Sequence, residues 1–81
     1  METPPELEAA ASEREEITIT KREYDDGQVI AVDFGPFVGE VELDVVDDTA
    51  IVVAGDRQLE FEVPSDAAGV TVNDGILTIE N

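Results

Sequence analysis

"VELDVVDDTAIVVAGDRQLEFEV", residues 41 to 63, decides the fold. Val41, Leu43 and Val45 alternate with Glu42 and Asp44, so one side of an extended chain is apolar and the other carries carboxylates. A half-buried strand requires that period of two, because successive side chains point to opposite faces of a sheet. Asp47-Asp48 interrupts the pattern, and "TAIVVAG" follows as a β-branched run short enough to be a second strand. After Gly55-Asp56 the alternation returns in Leu59, Phe61 and Val63, with Glu60 and Glu62 between them. Pro64 ends it, since proline has no amide to give a ladder.

The same signals continue on both sides. Toward the N-terminus, Ile17 and Ile19 alternate with Thr18 and Thr20 in a strand expected to reach about Tyr24. Asp26-Gly27 reads as a hairpin turn in which glycine adopts the positive φ of a primed turn, and "QVIAVDF", residues 28–34, as the return strand. Toward the C-terminus, "PSDAAG" is a loop or one helical turn, and Val70 and Val72 form a brief strand. Asn73-Asp74-Gly75 turns the chain into the last strand, residues 76–80. Seven short strands without a long helix predict an all-β fold, an antiparallel immunoglobulin-like β-sandwich over residues 17–81. Residues 1–16 hold Pro4-Pro5, three consecutive alanines and six glutamates, and are expected to be a flexible acidic tail. A short acidic helix after the prolines is the alternative.

Eighty-one residues leave room for one domain. A chain of this size buries only about two-thirds of its unfolded surface, so its core calls for a supplement. With no cysteine and no histidine, neither disulfides nor the commonest metal ligands can supply it. Twenty-one acidic against four basic residues give a charge of −17, with six acids before Ile17 and fifteen after it. Such a density repels nucleic acid and anionic membrane. Its self-repulsion is screened at molar salt, where the Debye length is about 3 Å. The composition resembles that of cytoplasmic proteins of haloarchaea. No stretch approaches the roughly 20 apolar residues of a membrane span, and the first residues have neither a basic nor an apolar signal region. A cytoplasmic location is the expectation.

Little in the chain suggests catalysis, and the expectation is a protein that is not an enzyme. Ser12 and Ser65 have no histidine anywhere to activate them. Paired carboxylates need one buried member of raised pKa, whereas these acids fall on solvent faces and turns. Asp25-Asp26 and Asp47-Asp48 lack the spacing of a calcium loop, and "GPFVG" lacks that of a phosphate cradle, so no metal and no cofactor are expected. Asp33 is expected to cap the amides of the loop that follows it. Tyr24, Phe34 and Phe61 read as core or turn-packing residues, with Phe37, between Pro36 and Gly39, a candidate exposed anchor.

The succession "VIAVDFGPF", "VELDVVDDTAIVVAGDR", "LEFEVP" and "VTVNDGILTIEN" resembles the α-crystallin domain of the small heat shock proteins. Asp33-Phe34-Gly35-Pro36 stands at the family's aspartate-apolar-proline-glycine turn, with glycine and proline exchanged. Ile51, Val53, Gly55 and Arg57 match its apolar-x-apolar-x-glycine-x-arginine pattern. Phe61, Val63 and Pro64 stand at F-x-L-P, and Asn73, Gly75, Ile76 and Leu77 at the A-x-x-x-N-G-V-L entry to the final strand, with Val70 in place of the alanine and Asp74 splitting the Asn-Gly pair. Gly55-Asp56-Arg57 runs almost directly into Leu59, leaving no room for the long swapped loop of microbial members, so that mode of dimerisation is not expected; with no C-terminal isoleucine-x-isoleucine anchor after Asn81 and a short N-terminal arm, large oligomers are not expected either.

The resemblance implies a groove in which Ile51 and Val53 on one strand and Val70 and Val72 on another receive an isoleucine-x-isoleucine peptide. Ile17-Thr18-Ile19 has that spacing and either fills the groove or is an ordinary strand of the sandwich. The function so implied is an ATP-independent chaperone, a small-heat-shock-like module of a halophilic cytoplasm that binds extended segments at sheet edges. The alternative is a non-chaperone adaptor with one dedicated protein partner. On either reading the partners are proteins, not nucleic acid or membrane, and the chain is a monomer or small homo-oligomer.

Overall fold

A computed structural model describes residues 1–35 and 39–81, and every structural statement below concerns these. One helix, α1 (Pro5–Glu13), precedes seven strands: β1 (Thr18–Tyr24), β2 (Gly27–Asp33), β3 (Val41–Val46), β4 (Thr49–Ala54), β5 (Arg57–Glu62), β6 (Gly69–Asn73) and β7 (Ile76–Glu80). They form two antiparallel sheets, one of order β1-β2-β7-β6 and one of order β3-β4-β5. The protein is an all-β sandwich.

The core is the alternation made visible. Ile30 and Val32 of β2 lie opposite Ile79 and Leu77 of β7, and all four are fully buried. From the other sheet Ala50, Val52 and Ala54 of β4 and Phe61 of β5 complete the same layer. "ILTI" near the C-terminus therefore sits in the middle of the chain's own sheet, between β2 and β6. Asn81 continues the pairing: its amide donates to the Gln28 carbonyl at 3.1 Å, and its Oδ1 accepts from the Gln28 amide at 2.7 Å.

Four hairpins close on two-residue turns, and the positive-φ positions fall where tight turns need them. Asp74 and Gly75 both adopt positive φ between β6 and β7, as do Asp47 between β3 and β4 and Gly55 between β4 and β5. Gly27 departs from expectation. It lies outside the left-handed region, paired with Tyr24 at the start of β2, and the Asp25-Asp26 turn precedes it. Glycine is needed there because a Cβ would collide with the Asn81 carbonyl oxygen. Asp33 behaves as expected, its Oδ1 accepting the Gly35 amide at 2.9 Å.

In the N-terminal segment the alternative form, a short acidic helix after the prolines, is the one found. Instead of a flexible tail, residues 5–13 form a helix that belongs to the domain, with Leu7 fully buried and Ala10 nearly so. Pro5 stands at the first turn, where its missing amide costs nothing, and Glu6 and Glu8 complement the helix dipole. Leu7, Ala10 and Ala11 share one side at helical spacing, and that side packs onto the core. Burying a leucine contributes about 2 kcal/mol, enough to hold a helix too short to persist alone. Ile17, also buried, follows the helix, and Ile19 packs against the same core, so both serve the chain's own sandwich.

Candidate functional site

A two-sheet sandwich has two seams, where the edge strands of opposite sheets face each other. In one, α1 contacts both β5 and β1 and closes the gap with Leu7 and Ala10. In the other, β3 and β6 contact each other and no further element of the described chain covers them.

This second seam is apolar. Val70 and Val72 of β6 pair with Ile79 and Leu77, which fixes them on the inner face, and both are only half buried. Across from them, Val41 and Leu43 of β3 pair with Ala54 and Val52, again on the inner face and again half buried. Val45, on the same face at the end of β3, is 46% exposed. Each of these strands pairs on one side only, so a row of main-chain amides and carbonyls is left free along each edge.

The four edges are not equally protected. Proteins ordinarily blunt an open edge with charge. β1 carries Lys21, Arg22 and Glu23, β3 carries Glu42 and Asp44, and β5 carries Arg57, Glu60 and Glu62. β6, "GVTVN", has no charged residue. In a chain of charge −17 it is the edge on which another strand meets the least electrostatic resistance.

The structure divides the groove residues expected from the sequence. Val70 and Val72 lie in the seam. Ile51 and Val53 do not: β4 is the central strand of its sheet, and these two side chains point away from the core, beside Asp44 and Glu42 of β3 and Glu60 and Gln58 of β5. The inward set of β4 is Ala50, Val52 and Ala54. The residues that face Val70 and Val72 belong to β3, where the strict alternation of "VELDV" already marks an apolar side. Phe37 falls outside the described residues.

Two clefts offer other possibilities. One of about 910 Å³ runs from Met1 to Glu6 and along residues 62–67. In it the Met1 ammonium donates to Gln28 Oε1 at 2.8 Å and pairs with Asp66 at 3.2 Å. The hydrogen bond from this ammonium holds the Asp66 carboxyl below the usual carboxylate range, against a smaller opposing effect of desolvation. The second, of about 620 Å³, lies among Arg14, Phe34, Ala54 and Arg57, and the Arg57 Nε is buried without a hydrogen-bond partner. Glu15, Glu16 and Asp56 line the same cleft and offset its cations, so nothing there selects an anion. Among the described residues no group of three acids is placed to hold a metal ion.

A model of a family of unknown function, DUF7127, covers residues 1–81, and the chain belongs to that family. No curated protein and no solved structure matches it.

Proposed function

We propose that the protein is a binding module that takes up an extended polypeptide segment at the β6 edge. The ligand strand pairs with the main chain of β6 and sets alternate apolar side chains against Val70, Val72, Val41 and Leu43. The observation that supports this most directly is the contrast among edges: three carry charge, and the fourth, uncharged, borders an uncovered apolar seam. In strand addition the main-chain hydrogen bonds supply affinity and the side-chain pockets supply selectivity. Carboxylates elsewhere on the surface keep the resulting complex soluble.

A small-heat-shock-like, ATP-independent chaperone of a salt-rich cytoplasm is the form of this activity that the sequence resemblance favours. A shallow seam of valines and a leucine suits it, because such a surface imposes little on the side chains it accepts. The alternative, an adaptor with one dedicated partner, uses the same edge with greater selectivity. Aggregation of several unrelated denatured proteins, followed by light scattering in molar KCl with and without the chain, separates the two. Protection of all of them supports the chaperone, and protection of none supports the adaptor. Val72→Lys places a charge in the seam and is expected to abolish protection; retention of full protection by a folded Val72→Lys chain would remove the seam from the mechanism.

A further inference from the structure

The outer faces of the two sheets differ in charge. On the three-stranded sheet, Glu42, Asp44, Glu60 and Glu62 point outward around Ile51 and Val53, with no cation among them. On the four-stranded sheet the outward positions are mostly uncharged. A row of Thr20, Ala31, Thr78 and Thr71 crosses its middle, one residue from each strand in register. Tyr24 and Ile76, 55% and 37% exposed, lie on the same face, and its only charges are Arg22, Asp33 and Glu80. A chain with 21 acidic residues has kept this face nearly free of them.

We propose that the outer face of the four-stranded sheet is a self-association surface, on which a second copy of this chain stacks face to face. The charge pattern names the occupant. Two copies of the three-stranded face would oppose four carboxylates with four more. Two copies of the four-stranded face bring together one arginine and two carboxylates from each side, so that cation and anion can pair across the join. Small and β-branched side chains allow sheets to approach to about 10 Å. Four strands about 4.8 Å apart and some five residues long give a patch only about 15–20 Å across. The dimer is therefore weak and reversible, burying well below about 1,200 Å² in total. The remaining surface charge of both copies opposes it until salt screens the repulsion, so it forms in molar salt. Stacking on this face leaves the β6 edge and its seam uncovered, so dimerisation and strand addition are independent.

Sedimentation velocity of the full chain over a dilution series, in low and in molar KCl, tests the proposal. A monomer is expected at low salt and a concentration-dependent dimer at high salt. Thr20→Glu and Thr71→Glu, both at exposed positions, add a like charge to the face and are expected to raise the dimer Kd about tenfold or more. Gln58→Glu adds the same charge to the outer face of the other sheet and leaves the Kd unchanged. Circular dichroism confirms that each variant is folded. A monomer under every condition would overturn the proposal, as would a dimer weakened equally by Gln58→Glu and Thr71→Glu, or one lost on Leu43→Ser and insensitive to Thr71→Glu.

Discussion

The two seams of the sandwich are built alike and finished differently. Between β1 and β5 the gap is filled by Leu7 and Ala10 from a nine-residue helix; between β3 and β6 a strip of Val41, Leu43, Val70 and Val72 is only partly buried. Among the described residues a helix covers one seam and no element covers the other. Charge divides the edges differently: β3 on the open side carries Glu42 and Asp44, as β1 and β5 carry charges beside the closed seam, and β6 alone among the four carries none.

The layer common to both seams is the place where substitution has the largest effect. Leu77 is fully buried in a central strand, between Val32 of β2 and Val72 of β6. Leu77→Asp places an unpaired charge there and is expected to abolish folding rather than only association, as circular dichroism and sedimentation would show. A folded monomer from this variant would mean that the strand is not part of the core.

The next test separates the seams. Leu7→Ala opens the closed one, leaves a cavity against β5, and is expected to cost about 2–4 kcal/mol in denaturant unfolding while the binding proposed at the β6 edge is kept. Leu43→Ser, on the open side, removes a side chain that water already reaches in part. Its expected cost is smaller, about 1 kcal/mol, while protection of aggregating proteins falls sharply. If the two variants changed stability and binding in the same proportion, the distinction between a structural and a functional seam would fail.

Much of this was legible in the chain itself, for a physical reason. Wherever one face of a strand is buried and the other wet, the period of two shows in the residues, as in "VELDV" and "LEFEV", and β3 and β5 stand where that period places them. The parity of β4 was not legible. "TAIVVA" is apolar at almost every position, so periodicity cannot tell Ile51 and Val53 from Ala50 and Val52, and a shift of one residue exchanges the two faces. Only the pairing of β4 with β3 and β5 settles which set lies inside. The helix was legible only as the alternative to a tail, because it is short. One leucine among glutamates and alanines is a weak signal, although Leu7, Ala10 and Ala11 after Pro5 had the right spacing. At Gly27 the local turn signal finds the hairpin but not the reason for glycine: the Asn81 carbonyl that demands it is 54 positions away, and no local rule reaches it.

The smallest expected effect concerns the start of the closed seam, where the Met1 ammonium is held between Gln28 and Asp66. This contact lowers the Asp66 carboxyl from its ordinary value of 3.8. A carboxylate whose pKa is lower folded than unfolded binds fewer protons in the folded state, so its contribution to stability is complete above the ordinary value. That contribution declines as the pH falls below about 4 and through the folded pKa. Because Asp66 is largely solvated, the effect is local loosening rather than unfolding. Amide hydrogen exchange at Leu7 and Glu8, whose amides both donate to the Pro4 carbonyl, should quicken on acidification beyond the intrinsic pH dependence, while β3 and β6 amides do not. In Asp66→Asn that excess is expected to vanish, because the carboxylate whose titration produces it is gone. An excess that persisted in this variant, or one equal at β6, would show that acid acts on the whole sandwich and that the ammonium contact does not anchor the helix side in particular.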